Sequence, residues 1–258
     1  MIFETHAHYD DERFDKDRDD IISSLPFKGI NRVINVGASI ESTRTTLELA
    51  KKYDFVYSAV GVHPSEIDGL NDETFEWLRG VAGEEKTVAI GEIGLDYYWE
   101  KDEQIRERQR EWFKRQMQLA RECKLPVIIH SRDAAEDTIQ VMKDINAEEI
   151  PGVIHCYSYS KEMAREFVKM GYYIGVGGVV TFKNSKKLKE TVEDISLERI
   201  LLETDCPYMA PEPYRGKRNY SGYIPYVVAE IARIKNISEE EVIEKTYENA
   251  MRLFSKVK

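Results

Sequence analysis

The strongest constraint on how this chain can fold is an eightfold alternation of short apolar runs with segments of helical period. The runs are Ile2 to His6, Arg32 to Gly37, Phe55 to Val62, Thr87 to Glu92, Pro126 to Ser131, Gly152 to Cys156, Tyr172 to Gly177 and Arg199 to Thr204. Most are rich in Val and Ile without polar alternation, as parallel strands buried on both faces should be. Helical periodicity is clear between them over Ile40 to Tyr53, Asp102 to Lys124, Lys161 to Met170 and Leu188 to Ile195. Ser160 with Met163, and Gly171 just past Met170, supply start and stop signals for one of these helices. Two more helices are predicted after the eighth run, over Pro225 to Ile234 and Ser238 to Phe254, the second opened by a Ser238-x-x-Glu241 capping box. Eight strand-then-helix units in 258 residues predict an α/β fold of the (β/α)8 TIM-barrel type. A doubly wound sheet more often has fewer strands and a Gly-x-Gly-x-x-Gly phosphate loop, which this chain lacks. With no internal repeat, low-complexity tract or linker, residues 1–258 are expected to form one domain.

Catalytic groups of such a barrel stand where its strands end, at the C-terminal face. All five histidines, His6, His8, His63, His130 and His155, fall at or just after the C-terminal end of a predicted strand. His6 and His8 flank one residue of an extended segment, so both imidazoles point to the same side. Histidines closing the fifth and sixth runs, Glu92 closing the fourth and Asp205 closing the eighth complete a set suited to zinc, manganese, cobalt or iron, with magnesium where oxygen ligands dominate. Glu92 lies between Gly91 and Gly94, which would let backbone or a ligand come close. A carboxylate at the end of a buried strand is costly unless it is paired or metal-bound. Six candidate ligands are too many for one catalytic ion with an open position, whereas two ions sharing Glu92 use them naturally. Two ions about 3.5–4 Å apart clamp an attacking hydroxide and a phosphoryl oxygen, and the chemistry expected is hydrolysis.

Composition limits the partners. Lys plus Arg against Asp plus Glu is 37 − 47 = −10, which argues against a broad grip on duplex nucleic acid and requires any polyanion to be held locally. No apolar run approaches the roughly 18 residues of a membrane span, and the N-terminus has no signal-peptide pattern; a cytoplasmic monomer that does not engage a membrane is expected. Cys123, Cys156 and Cys206 are odd in number and widely spaced, with no Cys-x-x-Cys pair, which argues against a disulfide framework and a zinc ribbon. If His155 and Asp205 face a metal, the thiols of Cys156 and Cys206 should point away, because adjacent strand residues alternate. The stretch Pro207 to Gly222, dense in Pro, Gly and Arg, is the longest irregular segment and reads as a substrate loop.

The segments Thr5-His6-Ala7-His8, Gly61-Val62-His63-Pro64, Ala89-Ile90-Gly91-Glu92-Ile93-Gly94-Leu95-Asp96-Tyr97, Val127-Ile128-Ile129-His130-Ser131-Arg132-Asp133-Ala134, Ile154-His155-Cys156-Tyr157-Ser158 and Leu202-Glu203-Thr204-Asp205 are similar to the signatures of the TatD family. These are metal-dependent deoxyribonucleases of the amidohydrolase-like barrel superfamily, and the similarity runs on to Asn249-Ala250-x-Arg252-Leu253-Phe254. The resemblance implies two divalent cations, whether Mg, Mn, Zn or Co. His6, His8, Asp205 and Glu92 would hold one, and Glu92, His130 and His155 the other. Asp205 would also orient the attacking water or take its proton.

His63 either contacts phosphate or the leaving group, or is a hydrogen-bonded histidine that fixes the loop at Pro64. Arg132 either grips a phosphate or bridges to Asp133 or Asp96. Glu203 reaches a third ion or supports the site, and support is the favoured reading. Arg215, Lys217 and Arg218 form a basic patch placed to touch phosphate, and Tyr97, Tyr98 and Trp99 either stack a base or pack their own loop. The expected function is deoxyribonuclease action on single-stranded or frayed DNA ends, exonuclease-like, with DNA as partner. Two other readings stay open: a related hydrolase of esters or amides (D-aminoacyl-tRNA deacylase, lactonase or amidohydrolase), and a catalytically silent metal-bound barrel that binds nucleic acid or a partner.

Overall fold

The computed structural model describes all 258 residues. Eight strands pair in parallel in chain order: β1 (Ile2–Ala7), β2 (Ile30–Val36), β3 (Val56–Val60), β4 (Thr87–Asp96), β5 (Val127–Arg132), β6 (Gly152–Ile154), β7 (Tyr173–Val176) and β8 (Ile200–Leu202). The ring closes between the end of β1 and the segment just past β8, where Ala7 bridges Cys206 and the Asp205 N–H donates to the His6 carbonyl at 2.9 Å. The nearly closed parallel barrel and the helices between its strands are the (β/α)8 architecture expected from the eight runs.

Its interior is filled by one side-chain cluster drawing on every strand, from Phe3, Ile34, Tyr57 and Val88 to Ile128, Val153, Tyr173 and Leu201. Leu253, Phe254 and Val257 of the C-terminal segment belong to the same cluster and plug one end of the barrel. A larger cluster joins the outer strand faces to the helices. The barrel is therefore a packed core open to ligand at one rim only.

The surrounding helices are α1 (Arg18–Ser24), α2 (Ile40–Lys52), α3 (Asp72–Ala82), α4 (Glu103–Cys123), α5 (Ala135–Asp144), α6 (Lys161–Lys169), α7 (Lys186–Asp194), α8 (Ile224–Lys235) and α9 (Glu239–Leu253). The Ser160 side chain accepts from the Met163 N–H, and Gly171 takes φ +92° beyond the end of α6, as the start and stop signals require. At α9 only one arm of the expected capping box forms, Ser238 accepting from the Glu241 N–H. A reciprocal box occurs instead at Asn71 and Thr74, which opens α3. Helices α1, α3 and α5 lie outside the segments singled out from sequence; α1 buries Ile22 alone, too little to make a periodic stripe.

The main departure is β4. It runs ten residues and ends at Asp96, so Glu92 stands inside the strand and not at its end. Against β5 the register passes from Ile90 opposite Val127 to Ile93 opposite Ile129, three steps facing two, so the extra residue of a bulge falls at Gly91–Glu92.

Candidate metal centre

Residues from six strands and the loops that follow them meet on the open rim. Glu92, only 4% exposed, is their centre. Its Oε1 lies 2.8 Å from His130 Nδ1 and 2.6 Å from His155 Nε2, while its Oε2 lies 3.4 Å from His6 Nε2 and 3.6 Å from His8 Nε2. Asp205 Oδ1 faces the second pair, 3.5 Å from His8 Nε2 and 3.8 Å from His6 Nε2. Each carboxylate oxygen of Glu92 thus faces its own pair of imidazoles.

The outer nitrogens show which inner ones are free to ligate. His8 Nδ1 is 2.8 Å from the Val36 carbonyl, which can only accept, so Nδ1 carries a proton and Nε2 is the nitrogen that faces inward, where a bound cation would take the place of its proton. His130 Nε2 is 3.0 Å from Asp96 Oδ2, which leaves Nδ1 to face Glu92. A carbonyl or carboxylate behind a histidine is the usual outer support of a metal ligand. Nitrogen and carboxylate donors converging in this way fit a divalent cation of the zinc, manganese or cobalt type.

The electrostatics carry the same demand for positive charge. Burial and the neighbouring His155 push His6 down to about 4. Burial would also lower His8, but Asp205 and Glu92 outweigh it and raise the group to about 10. His130 is likewise raised, to about 9, by Asp96 and Glu92 against its burial. Burial would raise Glu92, yet His155, His63 and the hydrogen bonds from His130 and His155 hold it well below the ordinary carboxylate value. Protons on two imidazoles balance the carboxylates, and a divalent cation delivers more charge at the same point.

His63 does two things. Its Nδ1 accepts from the Ser65 N–H at 3.1 Å and caps the turn Pro64–Gly69, while Nε2 faces Glu92 Oε1 at 3.7 Å. Burial and the charge of His130 push it down to about 3, so it is neutral with its proton on Nε2. Arg132 lines the cleft and makes no ion pair with Asp133 or Asp96; its guanidinium lies 4.0 Å from the Tyr98 ring centroid. Glu203 accepts from the Cys156 N–H at 2.5 Å, packs over Gly175, and is raised to about 8 by burial. Its Oε2 and the Nδ1 atoms of His6 and His155 are buried without a protein partner.

Two readings change, and a third is decided between its alternatives. Arg218 turns away from the rim: it pairs with Asp17 at 2.6 Å, and neither it nor Arg215 or Lys217 lines the cleft. Arg215 lies over the Phe182 ring at 4.2 Å and Lys217 over Tyr214 at 5.6 Å. The Cys156 residue does line the cleft, because β6 has already ended at Ile154 and Cys156 takes φ +44°, so strand alternation no longer applies. Gly91 and Gly94 make room for β5 rather than for a ligand; a Cβ on Gly91 would stand 2.6 Å from Ile128 Cβ, and one on Gly94 1.9 Å from the His130 carbonyl oxygen.

Two buried carboxylates join the site that were not singled out from sequence. Asp96 supports His130, a role that its sequence position as a possible partner of Arg132 does not reveal. Glu4 accepts from the N–H groups of His6 and Thr204 and from the Thr204 hydroxyl, and burial raises it to about 7. The signal for Glu4 was its place two residues before His6 in the same run. The cleft over these groups has a volume of about 760 Å³.

A family model described as TatD related DNase matches residues 3–255. The chain is 43% identical over 254 residues to YabD of Bacillus subtilis, named as an uncharacterized metal-dependent hydrolase, covering 98% of this chain and 99% of that protein. It is 32% identical over 262 residues to the 3′-5′ ssDNA/RNA exonuclease TatD of Cronobacter sakazakii, covering 99% of this chain and 98% of that one. The crystal structure of the TatD homolog YjjV from Escherichia coli superposes with a TM-score of 0.92 at 30% identity, over 98% of both chains.

Proposed function

We propose, from the premise that this chain belongs to the family of TatD-related DNases and is a metal-dependent hydrolase, that it hydrolyses phosphodiester bonds at single-stranded DNA ends. The observation that carries this reading is the division of four imidazoles between the two oxygens of Glu92, beside an arginine that no acid neutralises. The residues that would hold two divalent cations are His6, His8 and Asp205 on one side, His130 and His155 on the other, with Glu92 shared. Cations bound there supply Lewis acidity, lowering the pKa of a water and offsetting phosphate charge.

The chain's own residues do the rest. The Asp205 carboxylate, held below its ordinary pKa against burial by His8 and His6, is ionised and receives the proton of the attacking water. The neutral His63 donates Nε2–H to a phosphate oxygen, its Nδ1 being occupied by Ser65. Arg132 supplies a charge-assisted donor on the cleft wall, which favours a phosphate substrate over a lactone or amide. The name of the Cronobacter relative, a 3′-5′ exonuclease of single strands, supports the same substrate class.

The test is metal-stripped protein reloaded with Mg, Mn, Zn or Co and offered end-labelled single-stranded and blunt duplex DNA. Stepwise shortening of the single strand is expected, with slower attack on the duplex and a loss of at least ~100-fold in His130→Ala. An intact single strand under every metal, or equal rates for His130→Ala and wild type, would overturn the reading.

A further inference from the structure

Two exposed rings and a half-buried arginine beside the centre have no structural work that accounts for them. The Tyr97–Trp99 turn leaves β4 at Asp96, and within it Tyr97 is 8% exposed, its hydroxyl donating to Asp137. Tyr97 therefore packs the turn. Tyr98 and Trp99 do not, being 45% and 69% exposed, and they meet edge to face with centroids 4.8 Å apart at 87°. Over them lies Arg132, 4.0 Å from the Tyr98 centroid and 5.7 Å from that of Trp99. It is the one Lys or Arg among the residues lining the cleft, and it has no carboxylate partner in a chain with 47 acidic residues. Large exposed rings and an unpaired guanidinium are kept at a cost unless something binds them.

Asp96 ties this group to the metal ligands. Its Oδ1 accepts from the backbone N–H groups of Tyr98 at 2.9 Å and Trp99 at 3.0 Å, while its Oδ2 meets His130 Nε2 at 3.0 Å. On β5, Arg132 stands opposite Asp96 in register. The rings and the guanidinium are thereby held at a fixed offset from His130.

We infer that Trp99, Tyr98 and Arg132 form the subsite for the nucleotide adjoining the scissile phosphate: the exposed ring of Trp99 stacks on its base while Arg132 holds a phosphate oxygen. The inference rests on the nuclease reading above and adds to it the source of strand selectivity. A cleft of about 760 Å³ is of the size that holds one small ligand, so a base must leave its duplex stack to reach the shelf. Every base has a face to stack, so the subsite selects unpaired ends rather than a sequence.

The test is a cycle in kcat/KM crossing Trp99→Ala with removal of the bases from the two terminal nucleotides of the cleaved end, replaced by abasic spacers in a single-stranded oligonucleotide. Removing the bases should slow wild type at least tenfold; Trp99→Ala should lose a similar factor on the natural strand and little more on the spacer. Trp99→Phe should restore most of the activity, which a merely structural loss would not allow. Multiplying effects, with base removal as costly in Trp99→Ala as in wild type, would overturn the subsite and leave the nuclease reading standing. A wild type that cuts no oligonucleotide would overturn both.

Discussion

Glu92 shows how much one side chain can be asked to do when its surroundings are built for it. A buried carboxylate is costly to ionise, and here the imidazoles on both of its oxygens hold it charged. An amide of the same shape replaces one oxygen by an N–H donor, which cannot ligate and repels a cation. Glu92→Gln is therefore expected to weaken both proposed ions at least ~100-fold, while His6→Ala weakens chiefly one. Calorimetric titration of metal-stripped protein with Mn or Co reads both affinities, and two full-affinity ions in Glu92→Gln would show that Glu92 is not shared. Asp96 is the quieter counterpart. A single carboxylate orients His130 with one oxygen and the aromatic turn with the other, so its worth lies in the two groups it keeps in register.

At the scale of the element, β4 and β5 decide whether the centre assembles. Their pairing carries the bulge at Gly91–Glu92, then closes again so tightly that Gly94, at φ +142°, passes within reach of the His130 carbonyl. A methyl group at Gly94 meets both a backbone conformation that L residues avoid and a carbonyl oxygen 1.9 Å away. Gly94→Ala should cost about 3 kcal/mol or more in urea unfolding, from strain plus overpacking, and should weaken metal binding through the displaced His130. A variant as stable as wild type would mean that β4 and β5 separate more freely than their packing indicates.

The same pair marks the boundary of what the chain reveals unfolded. Val and Ile runs announced all eight strands, and the ligands could be read because each stands at or near the end of its run. Asn71 and the spacing of Phe75, Leu78 and Ala82 make α3 readable as well. The length of β4 was hidden, because a charged residue amid apolar ones looks like a strand end and only tertiary pairing carries the strand past it to Asp96. Register also hid the role of Asp96, whose meaning depends on what stands across from it in β5. Arg218 was misplaced for a related reason: its partner Asp17 lies 201 residues earlier in the chain, beyond any local pattern.

Over the whole molecule, charge and shape bear on the same question of how an acidic protein holds a polyanion. The chain carries a net charge of −10, and no helix is long and apolar enough to cross a membrane. The loop that looked like a basic handle spends Arg218 on Asp17 and sets Arg215 and Lys217 against rings, which leaves Arg132 as the cation lining the cleft. Each phosphate neutralised on a single strand contributes a slope of about −0.7 to the logarithm of affinity against the logarithm of salt. With the proposed ions kept saturating, one or two such contacts predict a slope for kcat/KM on single-stranded DNA no steeper than about −1.5. Arg132→Ala should flatten that slope by about 0.7, a change that lost packing alone would not produce. A steep slope, near −4 or beyond, would mean that the strand is gripped along a surface outside the cleft, and that the rim alone does not choose the substrate.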